Sequence, residues 1–247
     1  MLPNAADAEA RPLPAAVLWD MDGTLVDTEP YWMSAEFELV AAAGGTWTHE
    51  DAVAIVGQPL VESAAVLRSK GGVVGTDEEI VTTLLERVVG RVRDEGAPWR
   101  PGARELLAEL RAAGVPMALV TMSYRELADV VLAALPDGTF DAVVTGDVVT
   151  HGKPHPEPYL TAARLLGVDV ADTVAVEDSV PGVASAEAAG ARTIAVPMQV
   201  AVPAAPGRSR LATLDGVGPA LLARVAAGEV IDTVGPEPRA AVDPARP

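Results

Sequence analysis

An apolar run ends in Val17-Leu18-Trp19-Asp20-Met21-Asp22-Gly23-Thr24, which places two carboxylates at i and i+2 ahead of a Gly-Thr pair. If the run is a strand, side chains two apart share one face, and Gly23 lets the chain turn sharply beyond them. Open α/β sheets bind ligands at the C-terminal ends of parallel strands, where this pair would sit. Its hard oxygens suit Mg²⁺, which takes carboxylates, a carbonyl, waters and a substrate phosphate. The pair also suits phosphoryl transfer, with Asp20 attacking phosphorus and Asp22 handling the proton of the leaving group. A D-x-D-G turn alone also reads as a strand ending in solvated acids, so the other strand ends decide.

Three of them bear on the choice. Met117 to Val120 runs into Thr121-Met122-Ser123, a hydroxyl and a following backbone N–H where phosphate oxygens could be held, although Thr and Ser also cap helices. Lys153 lies in His151-Gly152-Lys153-Pro154-His155-Pro156-Glu157-Pro158-Tyr159, where prolines fix the backbone ahead of a helix. Lys70 and Lys153 are the only lysines in a chain rich in arginine. A compact ammonium neutralises a carboxylate nucleophile and an incoming phosphate better than a forked guanidinium does in a tight space; the plain alternative is a solvated lysine. Thr173 to Val176 runs into Glu177-Asp178-Ser179. Asp178 as a ligand, and Glu177 as a ligand or as an acceptor behind it, would complete a magnesium site, while Asp178 or Ser179 would serve equally as a helix cap. A nucleophile, an anion cradle, a cation and metal ligands at four strand ends are hard to attribute to four separate caps.

The elements that must position these groups follow from the pattern. Apolar runs at Ala15 to Trp19, Pro116 to Val120, Asp141 to Val144, Thr173 to Val176 and Arg192 to Val196 read as buried parallel strands. Helical patterns at Gly102 to Ala113, Glu126 to Ala134, Glu157 to Leu166 and Gly182 to Ala189 lie between them, which predicts an α/β, doubly wound sheet. The core is expected over 15–29 and 101–205. The intervening 30–100 offers only helical patterns and reads as an inserted, all-helical cap. Its first helix starts at Pro30 with Tyr31, Ala35, Leu39 and Ala42 on one face, and Thr76 with Glu79 forms a capping box ahead of Ile80, Leu84, Val88 and Val92. Residues 1–14 read as a flexible tail, and 206–247 as an extension with one helix near Pro219 to Ala227 and a loose end.

The formal net charge of -17 opposes the approach of a polyanion, so nucleic acid is not an expected partner. There is no cysteine, hence no disulfide, thiolate or sulfur-ligated metal. The first residues lack a basic segment followed by an apolar one, and no spanning apolar stretch occurs, so a cytoplasmic protein without a membrane partner is expected. His49, His151 and His155 read as polar loop residues. Trp32, Trp47 and Trp99 are expected to pack the cap, with one available to line a pocket. Arg125 reaches either a substrate or solvent.

The ordered set DMDGT, VTMS, GKPHPEPY and VEDS resembles the four motifs of the haloacid dehalogenase superfamily, over about Ala15 to Val196. The subgroup it is similar to contains β-phosphoglucomutase-like and phosphoglycolate-phosphatase-like enzymes with a helical cap. The resemblance implies a Rossmann-like core and an aspartyl-phosphate intermediate on Asp20, with proton transfer by Asp22. It also implies phosphate contacts from Thr121 and Lys153, and Mg²⁺ held by Asp20, the Asp22 carbonyl and Asp178. Met122 replaces a smaller residue common in the family, but its backbone N–H would be the working group. Trp32 stands where the mutases have histidine, and Val56-Gly57-Gln58-Pro59-Leu60 lacks the arginine with which they grip a second phosphate. A phosphatase acting on a small phosphorylated metabolite, as a monomer or weak homodimer, is therefore expected ahead of a sugar phosphomutase. A phosphorelay receiver would carry its acidic pair adjacent and lack a cap. A metal-free dehalogenase would have little use for Asp22 or the second acidic pair, and a phosphonate hydrolase would need Lys70 in the cap as a Schiff base.

Overall fold

The computed structural model describes residues 12–235. Most of the predicted N-terminal tail and the predicted loose C-terminal end lie outside the described residues. The order is β1 (Ala16–Trp19), four cap helices α1 (Glu29–Ala42), α2 (His49–Ala54), α3 (Leu60–Ser69) and α4 (Asp77–Glu95), then α5 (Ala103–Ala112), β2 (Met117–Val120), α6 (Arg125–Leu132) and β3 (Ala142–Val144). There follow α7 (Glu157–Leu166), β4 (Thr173–Glu177), α8 (Val180–Ala189), β5 (Arg192–Ala195), β6 (Arg208–Arg210) and α9 (Pro219–Ala226). No helix among the described residues is long and apolar enough to cross a membrane.

The six strands run in the order β3-β2-β1-β4-β5-β6, and every pair is parallel. The chain winds outward from β1 through β2 and β3, then restarts at β4 and winds the other way, so strand order reverses between β1 and β4. A crevice opens at such a reversal, beyond the carboxyl ends of the strands. Register places the chemistry there: Trp19 pairs with Val176 on one side and Leu119 on the other, which sets Asp20 beside Glu177 and just short of Thr121. The Asp20 N–H closes this arrangement by donating to the Val176 carbonyl at 3.0 Å.

Alternation along the strands builds two apolar layers. Val17, Trp19, Met117, Leu119, Val174 and Val176 face one, packed by α5, α6 and α9 and continuous with the cap core. Ala16, Leu18, Ala118, Val120 and Ala175 face the other, where the small side chains of α7 and α8 let those helices approach closely. Both faces being covered explains why these strands read as unbroken apolar runs.

In the cap, α4 buries Ile80, Leu84, Val88 and Val92 as expected, and the predicted capping box forms: the Glu79 N–H donates to Thr76 Oγ1 at 3.2 Å and the Thr76 N–H to Glu79 Oε2 at 2.9 Å. The face of α1 differs from the expectation. Trp32, Ala35, Glu36 and Val40 are buried with Glu29, while Tyr31 and Leu39 are half-buried and Ala42 is exposed. Two glutamates on the inner face displace the stripe that an apolar count selects. Beyond 206 the predicted helix is present as α9, and a strand joins it: Arg208-Ser209-Arg210 adds β6 to the sheet. Its polar letters conceal a buried edge, because Arg210 is neutralised by Asp232 at 2.8 Å and also donates to the Gly235 carbonyl.

Candidate active site

The crevice beyond β1 and β4 holds Asp20, buried to 6% exposure. Its Oδ1 accepts from Lys153 Nζ at 2.6 Å, whereas Oδ2 is buried and meets no partner among the described residues. Lys153 reaches in from the loop before α7, anchored by the Val120 carbonyl at 2.8 Å and by Glu177 Oε1 at 2.6 Å. Tyr159, on the first turns of α7, donates to the same Glu177 oxygen at 2.5 Å. Burial by itself would depress the Lys153 ammonium, but the Asp20 and Glu177 carboxylates outweigh it and hold the group above its usual range.

One carboxyl oxygen each from Asp20, Glu177 and Asp178 lies within 4.8 Å of the others. Burial raises Asp178 well above the ordinary carboxylate range, and its neighbours Asp20 and Glu177 raise it further. Burial also lifts Glu177 to about 7, against the pull of Lys153. With all three ionised, as ligation of a metal requires, the carboxylates would exceed the one ammonium by two negative charges, which a divalent cation would balance. The orphaned Asp20 Oδ2 and the hard-oxygen donor set fit a hard divalent cation. Glycines make the approach close enough: a Cβ on Gly23, at φ +85°, would stand 2.0 Å from Asp178 Oδ2, and one on Gly182 would stand 2.0 Å from Glu177 Oε2.

Asp22 takes a different environment. Its carboxylate accepts from Thr28 Oγ1 at 2.5 Å, Ser123 Oγ at 2.8 Å, Thr121 Oγ1 at 3.1 Å and Trp32 Nε1 at 3.4 Å. Burial nevertheless raises it, with Asp20 adding to the effect, and the Thr28 bond only offsets part of this. The Asp22 side chain thus stays outside the carboxylate cluster, which leaves its main-chain carbonyl as the group available to a cation. Thr121 points its hydroxyl at Asp22 and accepts from the Ser123 N–H at 3.0 Å. The Met122 N–H has no acceptor among the described residues, and its sulfur accepts from the Lys153 N–H at 3.2 Å.

The cap closes over this group. Gly57 packs on Ser179, where a Cβ would come within 3.2 Å, and the cavity wall includes Trp32, Ile55, Leu60 and Leu84. Trp47 instead serves Glu36, donating at 3.1 Å, and Trp99 bridges to Val26. Lys70 pairs with Asp51 on the surface, Arg125 pairs with Asp129, and His151 meets Glu157 in an exposed loop; none of these three residues lines the cavity.

Two acidic residues of the cavity wall escaped the sequence reading. Glu29 and Glu36 are each 7% exposed. Burial lifts Glu29 to about 8, with Asp22 and Glu36 contributing, and lifts Glu36 to about 7. The available signal was spacing: Glu29, Trp32, Glu36 and Val40 lie on one helix face, where acids beside apolar residues depart from the solvent side.

A family model described as haloacid dehalogenase-like hydrolase matches residues 14–190. Hexitol phosphatase B of Escherichia coli (strain K12) is 32% identical over 187 residues, covering 74% of this chain and 83% of that protein. The phosphorylated carbohydrates phosphatase of Thermotoga maritima is 33% identical over 180 residues, covering 72% and 83%. Among solved structures, a variant of CbbY from Rhodobacter sphaeroides in complex with xylulose-(1,5)bisphosphate superposes with a TM-score of 0.75 at 29% identity, covering 83% of this chain and 97% of that one. The match of the family model over most of the chain, on a six-stranded parallel sheet, makes this protein a member of the haloacid dehalogenase-like hydrolases.

Proposed function

We propose that the chain is a magnesium-dependent phosphatase that hydrolyses a small phosphorylated carbohydrate through an aspartyl-phosphate on Asp20. The observation that carries this reading is Asp20 itself: a buried carboxylate with one oxygen held by Lys153 and the other left without a partner, next to an acid of raised pKa. The hexitol and carbohydrate phosphatases among its relatives support the substrate class.

In the first step an Asp20 oxygen attacks phosphorus, the ester P–O bond breaks, and the leaving oxygen takes a proton from Asp22. Burial raises the Asp22 pKa above the ordinary carboxylate value, the direction that favours a proton donor in this step. In the second step Asp22, now a carboxylate, takes a proton from water as that water attacks the phosphoryl group. The P–O bond to Asp20 breaks, inorganic phosphate leaves, and both carboxyls return to their starting states. Lys153 fixes the nucleophile and offsets charge on the transferring group, while Glu177 and Tyr159 fix Lys153. Asp20, Asp178, the Asp22 carbonyl and, behind them or among them, Glu177 would hold Mg²⁺. When bound, Mg²⁺ withdraws electron density from the phosphoryl oxygens and stabilises the charge that develops on them. Thr121 and the Met122 N–H would receive phosphate oxygens, Thr121 once Asp22 turns toward the leaving group. The mutase alternative is not favoured, because among the described residues the cap side of the cavity offers no cation for a second phosphate.

Hydrolysis of p-nitrophenyl phosphate tests the reading. Phosphate release is expected to require Mg²⁺ and to vanish in Asp20→Asn. Equal activity in the presence of a chelator would defeat the metal-dependent mechanism, and activity in the variant would defeat the nucleophile.

A further inference from the structure

We infer that His151, His155 and Glu157 form a second metal site, on the exposed loop that carries Lys153, which takes a borderline divalent transition ion such as Zn²⁺. It shares no residue with the cluster of Asp20, Glu177 and Asp178.

Each of the three residues offers one ligand atom within 4.8 Å of the other two, and they include two of the chain's three histidines. The two imidazole rings lie with centroids 4.6 Å apart, and His151 Nδ1 stands 2.9 Å from Glu157 Oε2. Zinc bonds of about 2.0 to 2.1 Å put neighbouring donors about 3 Å apart, so an ion can replace the proton between that pair. An ordinary exposed hydrogen-bonded pair accounts for His151 and Glu157. It does not account for a second imidazole brought against the first. His155 Nδ1 accepts from the Glu157 N–H at 3.2 Å. A neutral imidazole has one unprotonated nitrogen, so a metal at this ring displaces that bond and leaves the N–H, at the exposed start of α7, to water.

The donors are already oriented. The Thr150 N–H donates to Glu157 Oε1 at 2.7 Å and the His151 N–H to Oε2 at 3.0 Å. The backbone of His155 is held at both ends, its N–H donating to the Gly152 carbonyl at 2.9 Å and its carbonyl accepting from Ser185 Oγ at 2.6 Å. Supports of this kind fix ligands in metal sites. Two imidazoles and a carboxylate favour a borderline ion over Mg²⁺, which prefers oxygen throughout, and three protein ligands leave a position for water. The His151 side chain is 61% exposed, so an ion reaches it from solvent. Lys153 lies between the two histidines and sends its ammonium inward to Asp20. An ion joining 151 to 155 and 157 therefore braces the segment that sets this lysine.

The experiment titrates ZnCl₂ into the full chain, free of any polyhistidine tag and saturated with Mg²⁺, and follows the histidine rings by NMR. The His151 and His155 signals should shift together along one binding curve, while His49, exposed at the start of α2, stays in place. Glu157→Gln should move the midpoint for both rings to zinc concentrations at least about tenfold higher, and His155→Ala should do the same for His151. Zinc should also raise Tm by more in the unaltered chain than in His155→Ala, because an ion bound only by the folded form stabilises it. Histidine signals that do not respond, or a His49 response with the same midpoint, would overturn the inference. So would midpoints unchanged in the variants or an equal rise in Tm.

Discussion

A carboxyl taken from water into an apolar cap loses its hydration, and Glu36 shows the size of that penalty. Burial lifts it to about 7 from an ordinary value of 4.5, with the Trp47 indole recovering only part. The unfolded chain therefore releases this proton near pH 4.5 and the folded one near pH 7. Between those values the folded form binds more protons, so stability falls as pH rises through the interval and levels off above it. Glu36→Gln keeps an acceptor for Trp47 and removes the ionisation. It should stabilise the fold at pH 8 by on the order of 2 kcal/mol and leave it nearly unchanged at pH 4.5, as read by urea unfolding at the two values. Equal effects at both would mean that packing, not charge, sets the penalty. A residue that weakens the fold at neutral pH yet faces the substrate chamber fits a group kept for recognition rather than for stability.

Turns at strand ends decide how closely the acidic groups approach, and glycine sets that limit. Gly23 has φ +85° and leaves no room for a Cβ beside Asp178, whereas Gly114, after α5, has φ +70° with nothing within 4 Å. Gly114→Ala should cost only backbone strain, about 1 kcal/mol, and retain phosphatase activity. Gly23→Ala adds a collision with a carboxylate of the cluster, so it should lose both stability and the response of activity to Mg²⁺; thermal melts with a magnesium titration distinguish the two. The sequence exposed this element scale well. Asp20 and Thr121 each follow, and Glu177 ends, a strand buried on both faces, whose unbroken apolar letters mark where it stops, and Lys153 stands out as one of only two lysines. β6 was hidden because Arg-Ser-Arg carries no apolar signal and depends on Asp232, far along the chain, to bury Arg210. The inner face of α1 was hidden for a related reason: Glu29 and Glu36 read as solvent residues unless the cavity that holds them is already known.

At the scale of the whole molecule, the insertion of the cap between β1 and β2 makes one chamber from two units. Where the chain returns to the core, Arg100 donates to the Gly23 carbonyl and, at 2.8 Å, to the Val196 carbonyl, tying the cap exit to the turn behind the acidic pair. The chamber is reached through the field of a chain with a formal net charge of -17, and its phosphate substrate is itself an anion. Long-range repulsion then opposes encounter, while Lys153 and a bound cation act only at close quarters, inside the buried site. Screening shortens the reach of that repulsion from about 30 Å at 0.01 M salt to about 8 Å at 0.15 M. With Mg²⁺ saturating, kcat/KM for a phosphate monoester should therefore rise about two- to fivefold over that range, with kcat unchanged because the chemistry is shielded from the solvent ions. Steady-state kinetics at a series of NaCl concentrations provide the measurement. A fall in kcat/KM with salt would mean that the local positive field at the chamber mouth, and not the acidic surface, governs how substrate arrives.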